Sequence, residues 1–558
     1  MAGQHEFFYD RYSVEQFKNW LREKYGSLKQ VGGAWQMYSL QSWNDVHPPY
    51  RPGPYAHSLD WLKFKKDNFY ELMQWRIDTI RANDPDSLIM AHGEAAALNN
   101  YRLGGSDEWR AAAKVQVYGY TFAHERHGTQ LWKQMHAADL VRAGSEGKPY
   151  WHNEIQGGPV WFNPFSHTTI KGSTRDNGRF PTDEDVRFWS LASIAGGAKG
   201  VLNPRWRPLL DGPLFGAYGY YNMDGSPNSR SRMASALAKW INHPDRKAFC
   251  ESVSARGQIG LLVTQEALAF KYLLGLGVDS DVYDEAISGA YRGFFDNNIQ
   301  ADFVSMDQID RYDLLFYPFP VLMEREDARK LTEWVEKGGK LICQGCPAYF
   351  GDTGRVGTLQ PDFGLNVLFG VKQHEAEFMP DLDDIRFHYA GKEVRGGLFM
   401  QSYISEGAEV KGTYPDGTAA VAEYAYGKGK TLLIGTFPSA GYYHHADENS
   451  RSFFAGVLAW GGKKPEVAIT GDGVYTRLFE KPGGGIFLWI LNPGKAAIDA
   501  NLSLSEELGS FRLGRVLWGQ CRNNMNRNCI RVKVPPKDGI LLELEISRYQ
   551  ASHIRTYG

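Results

Sequence analysis

PYWHNEIQGGPVWF, residues 149–162, runs from a short strand candidate ending at Glu154 into a loop rich in Gly, Pro and aromatic residues. Upstream, LIMAHGE (88–94) and KVQVYGYTF (114–122) are two more strand candidates, and GVLNPRW (200–206) follows downstream. Helical spacing lies between them. Leu131, Trp132, Met135 and Leu140 mark one helix, and Val186, Trp189, Ser193 and Ile194 mark another that begins near Thr182. Repeated strand–loop–helix units with polar residues at the strand ends read as a (β/α) barrel, whose chemistry sits at the C-terminal strand ends. Only about four such units can be counted, whereas a closed barrel needs eight. An open half barrel would expose strand edges and an apolar interior.

Glu154 stands where a retaining glycosidase needs a carboxylate. Such a group attacks the anomeric carbon while a second carboxylic acid, about 5–5.5 Å away, protonates the departing oxygen. The plainer alternative is that Glu154 caps a turn or pairs with Arg205 or Arg207 at the next strand end. Asn153 could bond a sugar hydroxyl or satisfy the loop backbone, and Trp161 and Phe162 could floor a sugar site or pack the loop.

Before the strands, Phe17, Trp20, Leu21 and Tyr25 recur at helical spacing. Ser13 is placed to cap that helix, Gln16 to return the bond and Gly26 to end it. A longer helix is expected after Ser58, with Leu59, Leu62, Phe69, Leu72 and Ile80 among its apolar positions.

Beyond residue 246 the pattern changes twice. IGLLVT (259–264), ADFVSM (301–306), YDLLFYP (312–318), KLICQG (340–345) and KTLLIGTF (430–437) read as buried strands alternating with helices, with a β-rich insertion around 374–425. That alternation predicts a parallel α/β sheet covered on both faces, similar to an amidotransferase-like domain. After GGKKPEVAITGDG (461–473), VYTRLFEKPGGGIFLWILNPG reads as a hairpin and CIRVKVPPKDGILLELEI as two more strands of a small antiparallel β domain. The expected domains are therefore 1–246, 247–460 and 461–558.

Composition excludes several classes. A formal net charge of -2 provides no global field toward nucleic acid or an anionic membrane. Five scattered Cys make no disulfide framework, and Cys343 and Cys346 lack the second pair or nearby His of a zinc set. As a catalytic nucleophile in an amidotransferase-like domain, either Cys would need a placed His and acid. No apolar run reaches transmembrane length and MAGQHEFFYDRYS makes no signal peptide, so cytoplasmic is the default location. No cofactor is implied.

In order along the chain, FKNWLREKYGSL (17–28), AW (34–35), WNDVHPP (43–49), SLDWLKF (58–64) and the segment around Glu154 resemble glycoside hydrolase family 42. This is the family of β-galactosidases with a TIM barrel, a trimerisation domain and a small β domain. The resemblance implies a retaining hydrolase of terminal β-D-galactosides or a related pyranoside, with Glu154 as nucleophile and a homotrimer as the assembly. It also places Trp206 and Arg207 on the family's Trp-Arg after the last barrel strand. Tyr118 and Tyr120, at the end of what would be the sixth strand, would orient the nucleophile, contact the sugar, or simply pack.

The departures are specific. The family's acid/base Glu, which follows an Asn at the end of strand four, would fall before Met1. The resemblance thus implies a partial barrel, the C-terminal half, with its first part cut away and activity in doubt. The alternative is a non-catalytic sugar-binding or assembly protein derived from such a hydrolase. Glu6 is the nearest acid to the missing role, though its context HEFFYD lacks the preceding Asn. Glu94 lies at the end of what would be strand five, where the family does not place that role, and would bond substrate or start the following helix. Where the family has Phe-Trp after Ala-Trp, this chain has Tyr38 and Trp43 as the nearest aromatics, and the galactose-holding Glu and His have no clear counterpart in RPLLDGPLFGAYGYY (207–221).

Overall fold

A computed structural model describes residues 9–50, 53–93, 107–122, 130–159, 178–212, 214–274, 282–378, 385–521 and 525–547. Its first helix spans Arg11–Tyr25 and is capped by Asp10 rather than Ser13. The Asp10 carboxylate accepts from the backbone N–H groups of Tyr12 and Ser13 at 2.9 and 3.1 Å, and the Ser13 hydroxyl donates to it as well. A carboxylate with two free oxygens outcompetes the hydroxyl for orphan N–H groups. Gly26 ends the helix at φ 75°, the left-handed conformation a side chain would oppose. The long helix, Tyr55–Asn83, starts three residues before the expected Ser58. Phe17, Trp35, Trp61 and Phe64 join these elements in one aromatic core.

Four strands then form a parallel sheet in chain order: β1 (Met90–Gly93), β2 (Val117–Thr121), β3 (Tyr150–Glu154) and β4 (Gly200–Val201). Helices Glu108–Ala113, Leu131–Ser145 and Asp183–Gly196 connect them. The last opens with a reciprocal cap between Thr182 and Asp185. β4 is much shorter than GVLNPRW, yet the backbone pairing continues, with Leu202 donating to His152 and Ile155 donating to Leu202.

A second sheet has eleven strands. Its parallel centre runs in the order Gly429–Ile434, Lys340–Cys343, Leu314–Tyr317, Ile259–Leu262, Ala301–Val304. Alternate residues enter different cores. Leu261, Phe316, Ile342 and Leu432 enter one, while Leu262, Leu315, Tyr317, Leu341 and Leu433 enter the other. Burial on both faces is why these strands read as continuous apolar runs. The expected β-rich insertion supplies the antiparallel strands from Val371 to Tyr426.

Two antiparallel sheets follow, of four and five strands. The hairpin is Tyr475–Glu480 with Ile486–Asn492. Val253–Ser254 pairs with the first of these strands, so a short segment ahead of the α/β sheet joins the C-terminal β layer. The architecture is thus multi-domain α/β with parallel, mixed and antiparallel sheets. Among the described residues no helix is long and apolar enough to cross a membrane.

Candidate active site

Strand alternation alone would turn Glu154 toward the helices, because Tyr150 and His152 point there. Tyr150 packs in a core with Tyr118, Tyr120, Ala137 and Val141, and His152 Nδ1 meets the Ser193 hydroxyl of helix Asp183–Gly196 at 2.7 Å. A β-bulge changes this. The β2–β3 register runs Tyr118↔Tyr150, Gly119↔Trp151, Tyr120↔His152, and then Thr121↔Glu154, which leaves Asn153 without an opposite residue. Two residues facing one reverse the phase of the strand, so Glu154 turns to the face that carries Thr121.

Both oxygens of Glu154 are held there. The Thr121 hydroxyl donates to Oε2 at 3.0 Å and the Gln156 amide donates to Oε1 at 2.8 Å. On its other side the Thr121 hydroxyl meets Nε2 of His92 in β1. Among the described residues neither Arg205 nor Arg207 pairs with Glu154, so the plain ion-pair alternative fails. The Thr121 hydroxyl and the Gln156 amide are uncharged donors, which can hold a carboxylate in place without neutralising it.

Asn153 shares this face. A Cβ on Gly119 would lie 1.9 Å from Asn153 Nδ2, so the glycine leaves the space that the Asn side chain fills. Asn153 is 7% exposed and Gln156 5%, and among the described residues the acceptor oxygen of each side chain has no hydrogen-bond partner. A buried acceptor left without any partner costs about 1–3 kcal/mol.

Tyr118 and Tyr120 do not reach Glu154. They alternate with Gly119 and Thr121 and pack on the opposite, helix-covered face. Tyr120 stacks on His152 with ring centroids 4.6 Å apart, and burial raises both tyrosine hydroxyls well above their ordinary pKa. Of the roles open to them, orienting the nucleophile, contacting the sugar or packing, their position on this face fits packing.

The loop after Glu154 is pinned to the one after β4. Tyr220 donates its hydroxyl to the carbonyl of Ile155 at 2.8 Å, and Tyr218 N–H donates to the carbonyl of Pro159. Trp206 is 59% exposed, with the Arg207 guanidinium 5.6 Å from its ring centre. Trp161, Phe162, Glu6 and Glu94 lie outside the described residues. Sequence reasoning missed Thr121, His92 and Gln156. The alternation Gly119–Thr121 could have pointed to Thr121, but the bulge that joins it to Glu154 leaves no sequence mark.

The cysteines offer no competing centre. Cys343 and Cys346 are buried, and burial pushes both thiols well above the range in which a thiolate forms. Among the described residues no group of three or more His, Cys, Asp or Glu is placed to hold a metal ion.

Residues 1–231 match the family model "Beta-galactosidase" of glycoside hydrolase family 42, and residues 264–459 match the "Beta-galactosidase trimerisation domain". The first match takes in the four-stranded parallel sheet and the helices that connect it. It corrects the expectation of a family domain with its N-terminal barrel part cut away. Beta-galactosidase BgaH of Haloferax lucentense is 26% identical over 454 residues, covering 76% of this chain and 64% of that protein. Beta-galactosidase BgaB of a Geobacillus species is 22% identical over 445 residues, covering 76% and 62%. The chain thus spans slightly less than two thirds of these relatives' length. The crystal structure of a beta-galactosidase from Bacillus circulans sp. alkalophilus superposes with a TM-score of 0.77 at 18% identity, over 96% of this chain and 77% of that one. Gan42B, a GH42 beta-galactosidase from G. stearothermophilus, gives 0.77 at 18% identity, over 95% and 75%. At these identities the structural likeness speaks for the fold.

Proposed function

We propose that this chain, which belongs to glycoside hydrolase family 42, is a retaining glycosidase of terminal β-D-galactosides or a related pyranoside, with Glu154 as its nucleophile. The observation that carries the reading is the bulge at Asn153. It turns a strand-end carboxylate onto the face that carries Thr121, where neutral donors hold both oxygens. Glu154 then attacks the anomeric carbon, a glycosyl ester forms as the leaving oxygen is protonated by a carboxylic acid, and water releases the sugar with retention.

In this reading the Asn153 side-chain oxygen accepts from a sugar hydroxyl, Trp161 and Phe162 belong to the substrate-binding residues, and Trp206 offers an aromatic face to the ring, with Arg207 beside it. The catalytic domain is taken as residues 1–246, an α/β trimerisation-like domain as 247–460 and a supporting β domain as 461–558. Three copies of the chain form the assembly. An activated 2-deoxy-2-fluoro-β-galactoside tests the assignment, since such sugars form the glycosyl-enzyme but lose it slowly. A sugar ester recovered on the peptide containing Glu154 supports it; an ester on another carboxylate, or none, counts against it.

A further inference from the structure

We propose that Thr121 is a positioning residue for the nucleophile and that His92 fixes the direction of its hydroxyl. This inference rests on the reading of Glu154 above. A threonine hydroxyl has one proton and two acceptor lone pairs. Thr121 lies between two groups that compete for that proton, the Glu154 carboxylate and the His92 ring. An ionised carboxylate can only accept. The Thr121 proton therefore goes to Glu154 Oε2, and His92 Nε2 must carry the hydrogen that it gives to Thr121. The chain of donation is His92 to Thr121 to Glu154, with Gln156 donating to the other oxygen.

This arrangement fixes the carboxylate plane from two sides. Thr121 is also the residue opposite the bulge, so the element that turns Glu154 into the site also brings in the group that holds it. Its branched Cβ restricts χ1, which makes the hydroxyl a rigid stop rather than a swinging one. Each carboxylate oxygen keeps a second lone pair, so Oε2 can remain bonded to Thr121 while Glu154 attacks.

The test compares Thr121→Val, which keeps the shape and loses the hydroxyl, with Thr121→Ser, which keeps the hydroxyl. His92→Phe removes the donor behind it. The substrate is 2,4-dinitrophenyl β-galactoside, and the labelling rate at Glu154 is followed in parallel. Misplacing a reacting group by about 1 Å costs on the order of 100-fold. The expected result for Thr121→Val is a kcat fall of about 10- to 100-fold, with KM changed little. Thr121→Ser should recover most of the loss, and His92→Phe should show a smaller fall in kcat. A Thr121→Val enzyme as fast as the parent overturns the inference. So does a Thr121→Ser enzyme as slow as Thr121→Val, since packing would then be the cause. If Thr121→Val does not fold, an unchanged kcat in His92→Phe overturns the relay and a lowered kcat at unchanged KM supports it. A parent protein that never labels at Glu154 overturns the underlying reading and this inference with it. Normal labelling in the parent and undiminished labelling in Thr121→Val overturn this inference alone.

Discussion

Gly119 and Asn153 occupy the same space on neighbouring strands: a Cβ on Gly119 would sit 1.9 Å from Asn153 Nδ2 and 2.4 Å from its Cγ. The glycine thus makes room for the bulged residue, and the bulge in turn directs Glu154. Gly119→Ala should force Asn153 out of place and destabilise the fold by about 1–3 kcal/mol, the usual cost of overpacking. Glycosidase activity should fall further than that stability loss explains. Thermal unfolding and kcat/KM measured on the same preparation check this, and an active, unshifted Gly119→Ala protein would refute it.

The N-terminal segment with its four-stranded sheet, the α/β sheet and the C-terminal β layer meet at Asp139. It is 1% exposed and accepts from Arg477 at 2.7 Å, from Arg142 at 3.1 Å and from the Tyr291 hydroxyl. Arg142 also donates to Asp302 at 2.6 Å. Removing one partner of a buried ion pair leaves the other charge poorly compensated, at a cost of about 3–5 kcal/mol. Arg477→Met should lower the urea midpoint accordingly. Adding Asp139→Asn should recover part of the loss, because the carboxylate is then no longer buried as an ion.

Burial holds the imidazoles of His136 and His152 down to about 3 from the ordinary 6.5. Between those values the unfolded chain binds protons that the folded chain refuses. Stability from this source is complete above about pH 6.5 and is lost as pH falls toward about 3, at up to about 1.4 kcal/mol per pH unit for each residue. Urea titrations at pH 7, 6 and 5 should show the decline, and His136→Leu should flatten it. A slope unchanged by that substitution would show that His136 is not its source.

Much of the architecture was legible because burial dictates pattern. Strands such as Ile259–Leu262 and Leu314–Tyr317 are covered on both faces and therefore read as apolar runs. The hairpin at 475–492 was readable from its glycine turn between two apolar strands. The strand-end position of Glu154 was legible from the short apolar run before it. What escaped was phase. Period-two alternation correctly puts Tyr118 and Tyr120 on one face, but which face is set by the helices they pack against. The bulge at Asn153 depends on a long-range fit to Gly119, which no local spacing encodes. The cap at Asp10 was missed for a smaller reason: two cap formers three residues apart, Asp10 and Ser13, compete, and the charged one wins.

The central claim is that Glu154 is the attacking group, and azide rescue tests it most directly. Glu154→Ala should leave activated β-galactosides almost uncleaved. Added azide should then enter the vacated face and yield the α-galactosyl azide, with restored rate. A β-galactosyl azide would instead make Glu154 the acid/base residue, and an undiminished rate without azide would remove it from the chemistry altogether.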